Sequence, residues 1–164
     1  MNKSRELSKT VLVIVAAAGG LTAAEKHDGP TPPKPDIPYL LHASNLVETE
    51  SGQASQENRK NDVTFSIAGA ASRARTPLAE PIFILEARQL PADRFELYKL
   101  EVKGGNREVS MSRGRRGSGG RALHLTVTPL GNHLNRIEAN EPLENGEYAL
   151  SPSGDNRVFC FQVY

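Results

Sequence analysis

The sequence has few of the residues that stabilise disulfide-rich or aromatic-rich small domains. Among its 164 residues there are one cysteine, no tryptophan and only 5% aromatic residues. A single cysteine excludes an intramolecular disulfide. Together with the lack of tryptophan, it also excludes the antibody-type immunoglobulin core, in which a tryptophan packs on a disulfide. We therefore expect a core built mainly from leucine, isoleucine and valine.

Charge and motif content exclude further classes of protein. The formal net charge is +1, so the chain lacks the overall basic excess of many nucleic-acid binders. Walker, HExxH and post-strand GxGxxG motifs are absent, and Arg116 stands where a GxSxG elbow centred on Ser118 needs its first glycine. The acids Glu144 and Glu147 flank a turn and are predicted to be solvated. We expect no enzyme, no catalytic residue, no metal and no cofactor.

The first 24 residues have the composition of a secretory signal peptide. Three basic residues precede position 10, residues 11–18 are apolar, and Thr22-Ala23-Ala24 offers small side chains to a signal peptidase. The apolar run is shorter than the roughly 20 residues of a membrane span. We predict a signal peptide over residues 1–24, cleavage after Ala24, and an exported protein, periplasmic or extracellular, with no stable membrane anchor after cleavage.

A proline-rich segment follows the predicted cleavage site. Residues 25–36 contain four prolines, from Pro30 to Pro35, which favour extended polyproline II structure. We predict a flexible linker over residues 25–36 and one β domain over residues 37–164, a length typical of a single domain.

Alternating apolar and polar residues predict strands along most of this domain. Val63, Phe65 and Ile67 alternate in this way, as do Tyr98, Leu100 and Val102. Residues 82–87 begin with a continuous apolar run, which predicts a strand buried on both faces. By contrast, residues 51–61 are polar throughout and are predicted to form an exposed loop. Roughly eight short strands joined by turn residues are typical of a β-sandwich or a barrel.

The chain ends in a predicted β-hairpin. Residues 147–150 and 157–164 are its strands, and the intervening residues include proline, glycine and aspartate, which favour turns. Tyr148 lies near the start of the penultimate strand, where immunoglobulin-like sandwiches place the tyrosine of a tyrosine corner. Alternatively, it is an ordinary strand tyrosine after a turn. We predict an all-β fold, a single antiparallel β-sandwich of immunoglobulin-like type.

A glycine-rich loop carries a cluster of arginines. Between Lys103 and Arg121 there are six basic residues and a single acid. Guanidinium groups bind phosphate and carboxylate oxygens in pairs, so this loop is a candidate site for an anionic glycan or surface. The alternative is a solvated hairpin loop, and RNA binding is not indicated because no aromatic residue interleaves. The candidate residues are Arg113, Arg115, Arg116 and Arg121.

Cys160 lies between two phenylalanines on the closing strand. A free cysteine in such a position usually behaves as a small buried hydrophobic residue, and we predict a buried free thiol. The alternatives are an intermolecular disulfide or a metal site that includes His124 and His133. A blue-copper site is not indicated, since it would need histidine and methionine after the cysteine, and neither follows Cys160.

Three segments resemble a group of exported bacterial proteins that have no known activity. They are Ile37-Pro38-Tyr39-Leu40-Leu41-His42, Glu80-Pro81-Ile82-Phe83, and the ending ENGEYALSP…RVFCFQVY. The resemblance implies export and an all-β fold. It implies no activity and no site residue.

These features predict a non-enzymatic binding or accessory module of the bacterial cell envelope. Its partner would be an envelope protein or an anionic glycan or surface rather than nucleic acid. An exposed sheet edge would also accept a strand from a partner, or from a second copy in a homodimer. The alternative function is a small envelope enzyme or metal-handling protein that uses His124, His133 and Cys160. The enzyme or metal-handling protein requires these three side chains to converge on one site, whereas the binding module does not.

Overall fold

A computed structural model describes residues 27–60, 62–112 and 120–164. The predicted signal peptide lies outside these residues, as does most of the arginine-rich loop. The described residues contain a 3-10 turn at Ala92–Arg94 but no α-helix, and hence no helix long and apolar enough to span a membrane. The strands are β1 (Tyr39–His42), β2 (Asn45–Glu48), β3 (Glu50–Gln53), β4 (Ser55–Asn58), β5 (Asp62–Ala68), β6 (Arg75–Thr76), β7 (Ile82–Glu86), β8 (Phe95–Lys103), β9 (Asn106–Ser112), β10 (Leu125–Gly131), β11 (Leu134–Ala139), β12 (Gly146–Pro152) and β13 (Arg157–Val163).

The strands form two sheets, and the predicted all-β, largely antiparallel architecture is confirmed. A five-stranded sheet has the order β10-β11-β7-β1-β2. An eight-stranded sheet has the order β3-β13-β12-β8-β9-β5-β4, with the short β6 pairing in parallel beside β13. The predicted closing hairpin is β12 and β13, which pair in register from Gly146 with Val163 to Leu150 with Phe159.

The larger sheet curls until its two edges meet. Strands β3 and β4 form opposite edges of the sheet, yet only Ala54 separates them in the chain. In a flat sheet of seven strands the edges would lie about 29 Å apart, because neighbouring strands are about 4.8 Å apart. One residue cannot bridge that distance, since consecutive Cα atoms are about 3.8 Å apart. The larger sheet, called the rolled sheet below, therefore encloses an interior.

A short segment lies between two strands of the rolled sheet. Strands β8 and β9 pair directly only where Glu101–Lys103 meets Asn106–Glu108. Farther along, the amide of Gly120 donates to the Ser110 carbonyl at 2.6 Å, and the amide of Leu123 donates to the Leu97 carbonyl at 2.7 Å. Residues 120–123 therefore connect the diverging parts of β8 and β9.

Two apolar clusters stabilise the fold, one on each face of the central strands. The larger cluster includes Phe83 and Phe161, whose ring centroids are 5.0 Å apart, and it joins the five-stranded sheet to the rolled sheet. The smaller one lies on the interior face of the rolled sheet and includes Ile67, Val109 and Cys160. Because β12 and β13 separate the clusters, both of their faces are buried.

Two details of the sequence prediction are wrong. Residues 51–61, predicted as a loop, contain most of β3 and all of β4. Every residue of β4 is exposed, so the strand has no apolar alternation that would reveal it. Val102, predicted to continue the buried face of β8, is 52% exposed because it stands near the hairpin turn.

The end of the proline-rich segment packs on the domain. Asp36 Oδ1 accepts the backbone N–H groups of residues 88, 89 and 90 at 2.8 to 2.9 Å. Burial raises the pKa of Asp36, but these three donors outweigh it, so the pKa lies below its usual value. Lys34 forms an ion pair with Glu48 at 3.0 Å. The ordered domain therefore includes residues before Ile37.

Candidate functional site

The interior of the rolled sheet contains a cavity of about 310 Å³. Such a volume is at the lower end of the range for small-molecule sites, roughly 300 to 1,000 Å³. Its floor and walls are apolar, while polar residues lie at one end. The lining residues are Ala54, Gln56, Phe65, Ile67, Glu96, Tyr98, Leu100, Val109, Met111, Ala149, Ser151, Pro152, Gly154, Asp155, Asn156 and Val158.

Strand alternation places these side chains on one surface. Residues two apart in a strand face the same side, so Glu96, Tyr98 and Leu100 of β8 all point inward. The register pairs Tyr98 with Ala149 on the neighbouring strand β12. The exposed residues Gln56 and Asn156 belong to the polar end, which shows where the cavity opens.

A carboxylate and a phenol form the main polar contact of the cavity. The Tyr98 hydroxyl donates to Glu96 Oε2 at 2.6 Å. Burial and this hydrogen bond raise the pKa of Tyr98, so the phenol stays protonated. Asp155, the other acid of the lining, is paired with Arg157, whose Nη2 lies 2.6 Å from Asp155 Oδ2. Among the described lining residues, only Glu96 is charged without a cationic partner.

The other end of the interior is closed by a buried group of polar residues, the Arg107 cluster: Arg107, Glu50, Glu147 and Ser72. The Arg107 side chain is fully buried. Its Nη2 donates to Glu50 Oε1 at 2.6 Å and to the Ala68 carbonyl at 2.9 Å, and its Nε donates to the Gly69 carbonyl at 2.9 Å. Its Nη1 donates to Ser72 Oγ at 2.6 Å. The guanidinium therefore ties two strands and a loop together.

The two acids of the cluster have different environments. Burial raises the pKa of Glu50, but hydrogen bonds from Arg107 and from the Arg73 amide outweigh it, so the pKa lies below its usual value. Glu147 is 4% exposed and accepts both donors of Ser72 at its Oε2, at 2.6 and 3.0 Å. Its Oε1 has no partner among the described residues. The expectation that Glu147 is a solvated acid is therefore wrong, and Arg107 is not part of an exposed basic run.

Cys160 lies inside the rolled sheet, in the same apolar cluster as the deepest cavity residues. Its exposure is 0%, and it is a free thiol. Burial raises the pKa of this thiol to about 12, which the nearby Arg107 opposes. Cysteine reacts as the thiolate, so Cys160 is poorly suited to nucleophilic or redox chemistry in the folded protein.

The histidines named with Cys160 do not converge on it. Asn140 donates its amide to the His124 carbonyl, at the open end of the β10-β11 hairpin, whereas His133 lies in the turn at the opposite end. Seven residues of β10 separate them, about 23 Å at 3.3 Å per residue. Both histidines are exposed while Cys160 is buried. No group of three potential ligands for a metal occurs among residues 27–60, 62–112 and 120–164.

Most of the arginine-rich candidate site lies outside the residues that the structure describes. Arg113, Arg115 and Arg116 lie outside the described residues. Arg121 has a side chain that is 79% exposed, with its Nη2 4.0 Å from Glu141 Oε1. Anion binding by these residues stays a prediction.

Tyr148 makes the upstream contact that defines a tyrosine corner. Its hydroxyl donates to the Glu144 carbonyl, four residues earlier, at 2.8 Å. Its ring stacks on Phe161 with centroids 5.6 Å apart and an interplanar angle of 19°. The contact fixes the entry to β12 and has no part in the cavity.

Sequence reasoning missed the cavity, although one signal was present. Residues 147–150 and 158–161 are apolar on both strand faces, apart from Glu147, and two-faced burial requires a second apolar layer. Comparison of the chain with protein-family models, with characterised proteins and with solved structures finds no match.

Proposed function

We propose that the protein is an exported, non-enzymatic binding module of the cell envelope, and that it binds a small, mainly apolar ligand inside the rolled sheet. The observation that carries this proposal is the 310 Å³ cavity with an apolar floor and a polar opening. Ligand sites are commonly concave and apolar, with a few polar groups that orient the ligand. β-barrels commonly enclose ligands in the same way.

The position of the Arg107 cluster supports this reading. It closes the far end of the interior, so a ligand would enter between Glu96 and Asn156. Most of the cavity wall is built from strands, which keeps its shape fixed before a ligand arrives. A preformed site binds with less loss of conformational entropy.

Titration with 1-aminoanthracene, a neutral apolar fluorophore at pH 7, tests the binding site. We expect saturable binding by the chain from residue 25 onward, with a blue-shifted emission. Ala149→Phe and Val109→Phe, which fill the cavity from two different strands, should each abolish this signal. Ala79→Phe, an exposed position remote from the cavity, is the matched control and should bind as the unaltered chain does. Equal binding by all four proteins, or no binding by any, would refute the proposal.

Export is tested separately, by intact mass spectrometry of protein recovered from the envelope of the producing cell. A mature chain that starts at Glu25 is the expected result. A chain that retains residues 1–24 and stays in the cytoplasm would contradict export while leaving the binding site untouched.

A further inference from the structure

The charges around the cavity are asymmetric. Glu96 is the lining carboxylate without a cationic partner among the described residues, and it lies where the apolar wall meets the opening. Only one of its oxygens, Oε2, accepts the Tyr98 hydroxyl. Its other oxygen, Oε1, has no hydrogen-bond partner among the described residues and can accept a bond from a ligand. A carboxylate accepts hydrogen bonds and donates none, so the complementary ligand group is a donor.

Among the described residues, two arginines lie near the opening, and neither lines the cavity. Arg157 is paired with Asp155 through its Nε and Nη2. Arg94 donates its Nη2 to the Ser153 carbonyl at 3.0 Å, in the β12-β13 turn. No basic side chain of the described residues lines the cavity, so an anionic ligand would meet Glu96 without a compensating charge.

Aromatic and sulfur-containing side chains of the lining are also favourable to a cation. Phe65 and Tyr98 present aromatic rings, whose faces attract cations, and Met111 supplies a polarisable thioether. Toward the Arg107 cluster, the lining side chains Leu100, which pairs with Glu147, and Ile67, which pairs with Arg107, offer only apolar surface. The lining therefore has a cation-accepting opening and a hydrocarbon-accepting floor.

We propose that the ligand is a small cationic amphiphile, with a protonated amine held at Glu96 and an aliphatic or aromatic body in the apolar floor. This inference rests on the proposed function, since it names the ligand class of the same cavity. A charged hydrogen bond inside a partly desolvated site favours the amine over an uncharged isostere by about tenfold or more.

Three probes of matched length separate this ligand class from the others. Octylamine, octanol and octanoate differ in the head group and share the same alkyl chain. Each is used to displace 1-aminoanthracene from the chain starting at residue 25, at pH 7 and moderate ionic strength. We expect octylamine to bind about tenfold more tightly than octanol, and octanoate to bind most weakly. Glu96→Gln should remove the preference for octylamine and leave octanol binding unchanged.

Glu101→Gln is the matched control, because Glu101 is exposed on the same strand and is paired with Lys103 outside the cavity. It should retain the full preference for octylamine. If the three probes bind equally, or if octanoate binds most tightly, the cationic ligand class is wrong while the binding cavity stands. If neither the fluorophore nor any probe binds, the proposed function itself fails. Octanol binding by Glu96→Gln shows that the cavity of this variant is intact. If Glu96→Gln does not fold, the order of affinities of the three probes for the unaltered chain tests the cationic ligand class by itself.

Discussion

Arg107 Nη2 lies 2.6 Å from Glu50 Oε1, in a contact that crosses the interior of the rolled sheet from β9 to β3. The same guanidinium holds the carbonyls of Ala68 and Gly69. Gly69 has a φ of +89°, a backbone conformation that glycine adopts without strain. One fully buried side chain thus fixes two strands and the loop that closes the interior.

Arg107→Met should destabilise the protein by about 3 kcal/mol, because removing one partner of a buried ion pair leaves the other uncompensated. Two backbone carbonyls and Ser72 would lose a donor as well. Urea denaturation followed by circular dichroism measures the change. Arg121→Met is the control, since that side chain is 79% exposed, and it should change stability by less than about 0.5 kcal/mol. Similar values for the two variants would contradict a structural role for Arg107.

Stability should fall in acid partly through Glu50. Burial raises the pKa of Glu50, but the hydrogen bonds from Arg107 and the Arg73 amide lower it by a larger amount. The folded-state pKa therefore lies below the unfolded value near 4.5. The unfolded chain then binds the proton more readily, and the contribution of Glu50 is present above about pH 4.5 and lost as the pH falls through the folded-state pKa. Urea midpoints from pH 7 to pH 3 should therefore decline less steeply in Glu50→Gln than in the unaltered chain. Parallel declines would exclude Glu50 as a source of the acid sensitivity.

Tyr148→Phe should cost about 1 kcal/mol, the typical net contribution of one buried hydrogen bond. The phenylalanine ring would keep its stacking on Phe161, so the loss isolates the bond to the Glu144 carbonyl. Thermal and urea denaturation measure it. Tyr164→Phe removes a hydroxyl from a side chain that is 52% exposed and should have almost no effect. An unchanged stability of Tyr148→Phe would show that the tyrosine corner contributes nothing.

Cys160 should resist thiol reagents while the protein is folded. It is fully buried, and burial raises its pKa to about 12, so very little thiolate is present at pH 8. The rate of reaction with a chromogenic disulfide should rise steeply through the urea unfolding transition. Complete labelling within minutes in the absence of denaturant would instead place the thiol on an accessible surface.

Local patterns along the chain were sufficient to predict many of the strands. Val63, Phe65 and Ile67 lie on β5, and the apolar run that starts at Ile82 is β7, buried at its centre. The closing hairpin was readable because turn residues separate two runs of β-forming residues. In each case the signal lies within a few residues, since strand alternation is a local property.

The edge strand β4 gave no such signal. Residues 55–58 of β4 are polar and all exposed, and the strand pairs on one side only. A polar run of this kind is typical of a loop. The strand β4 is held by its pairing with β5, which pairs in turn with β9, so its position depends on residues distant in sequence.

The sequence by itself determined the all-β class, the closing hairpin and the absence of an intramolecular disulfide, since these follow from local periodicity and residue counts. Only the tertiary structure decided that Arg107 and Glu147 are buried and that Glu96 faces a cavity. A charged residue is usually solvated, and its burial becomes tolerable only when partners distant in sequence, such as Glu50, supply hydrogen bonds. The rolled sheet brings those partners together, because Ala54 joins its two edges.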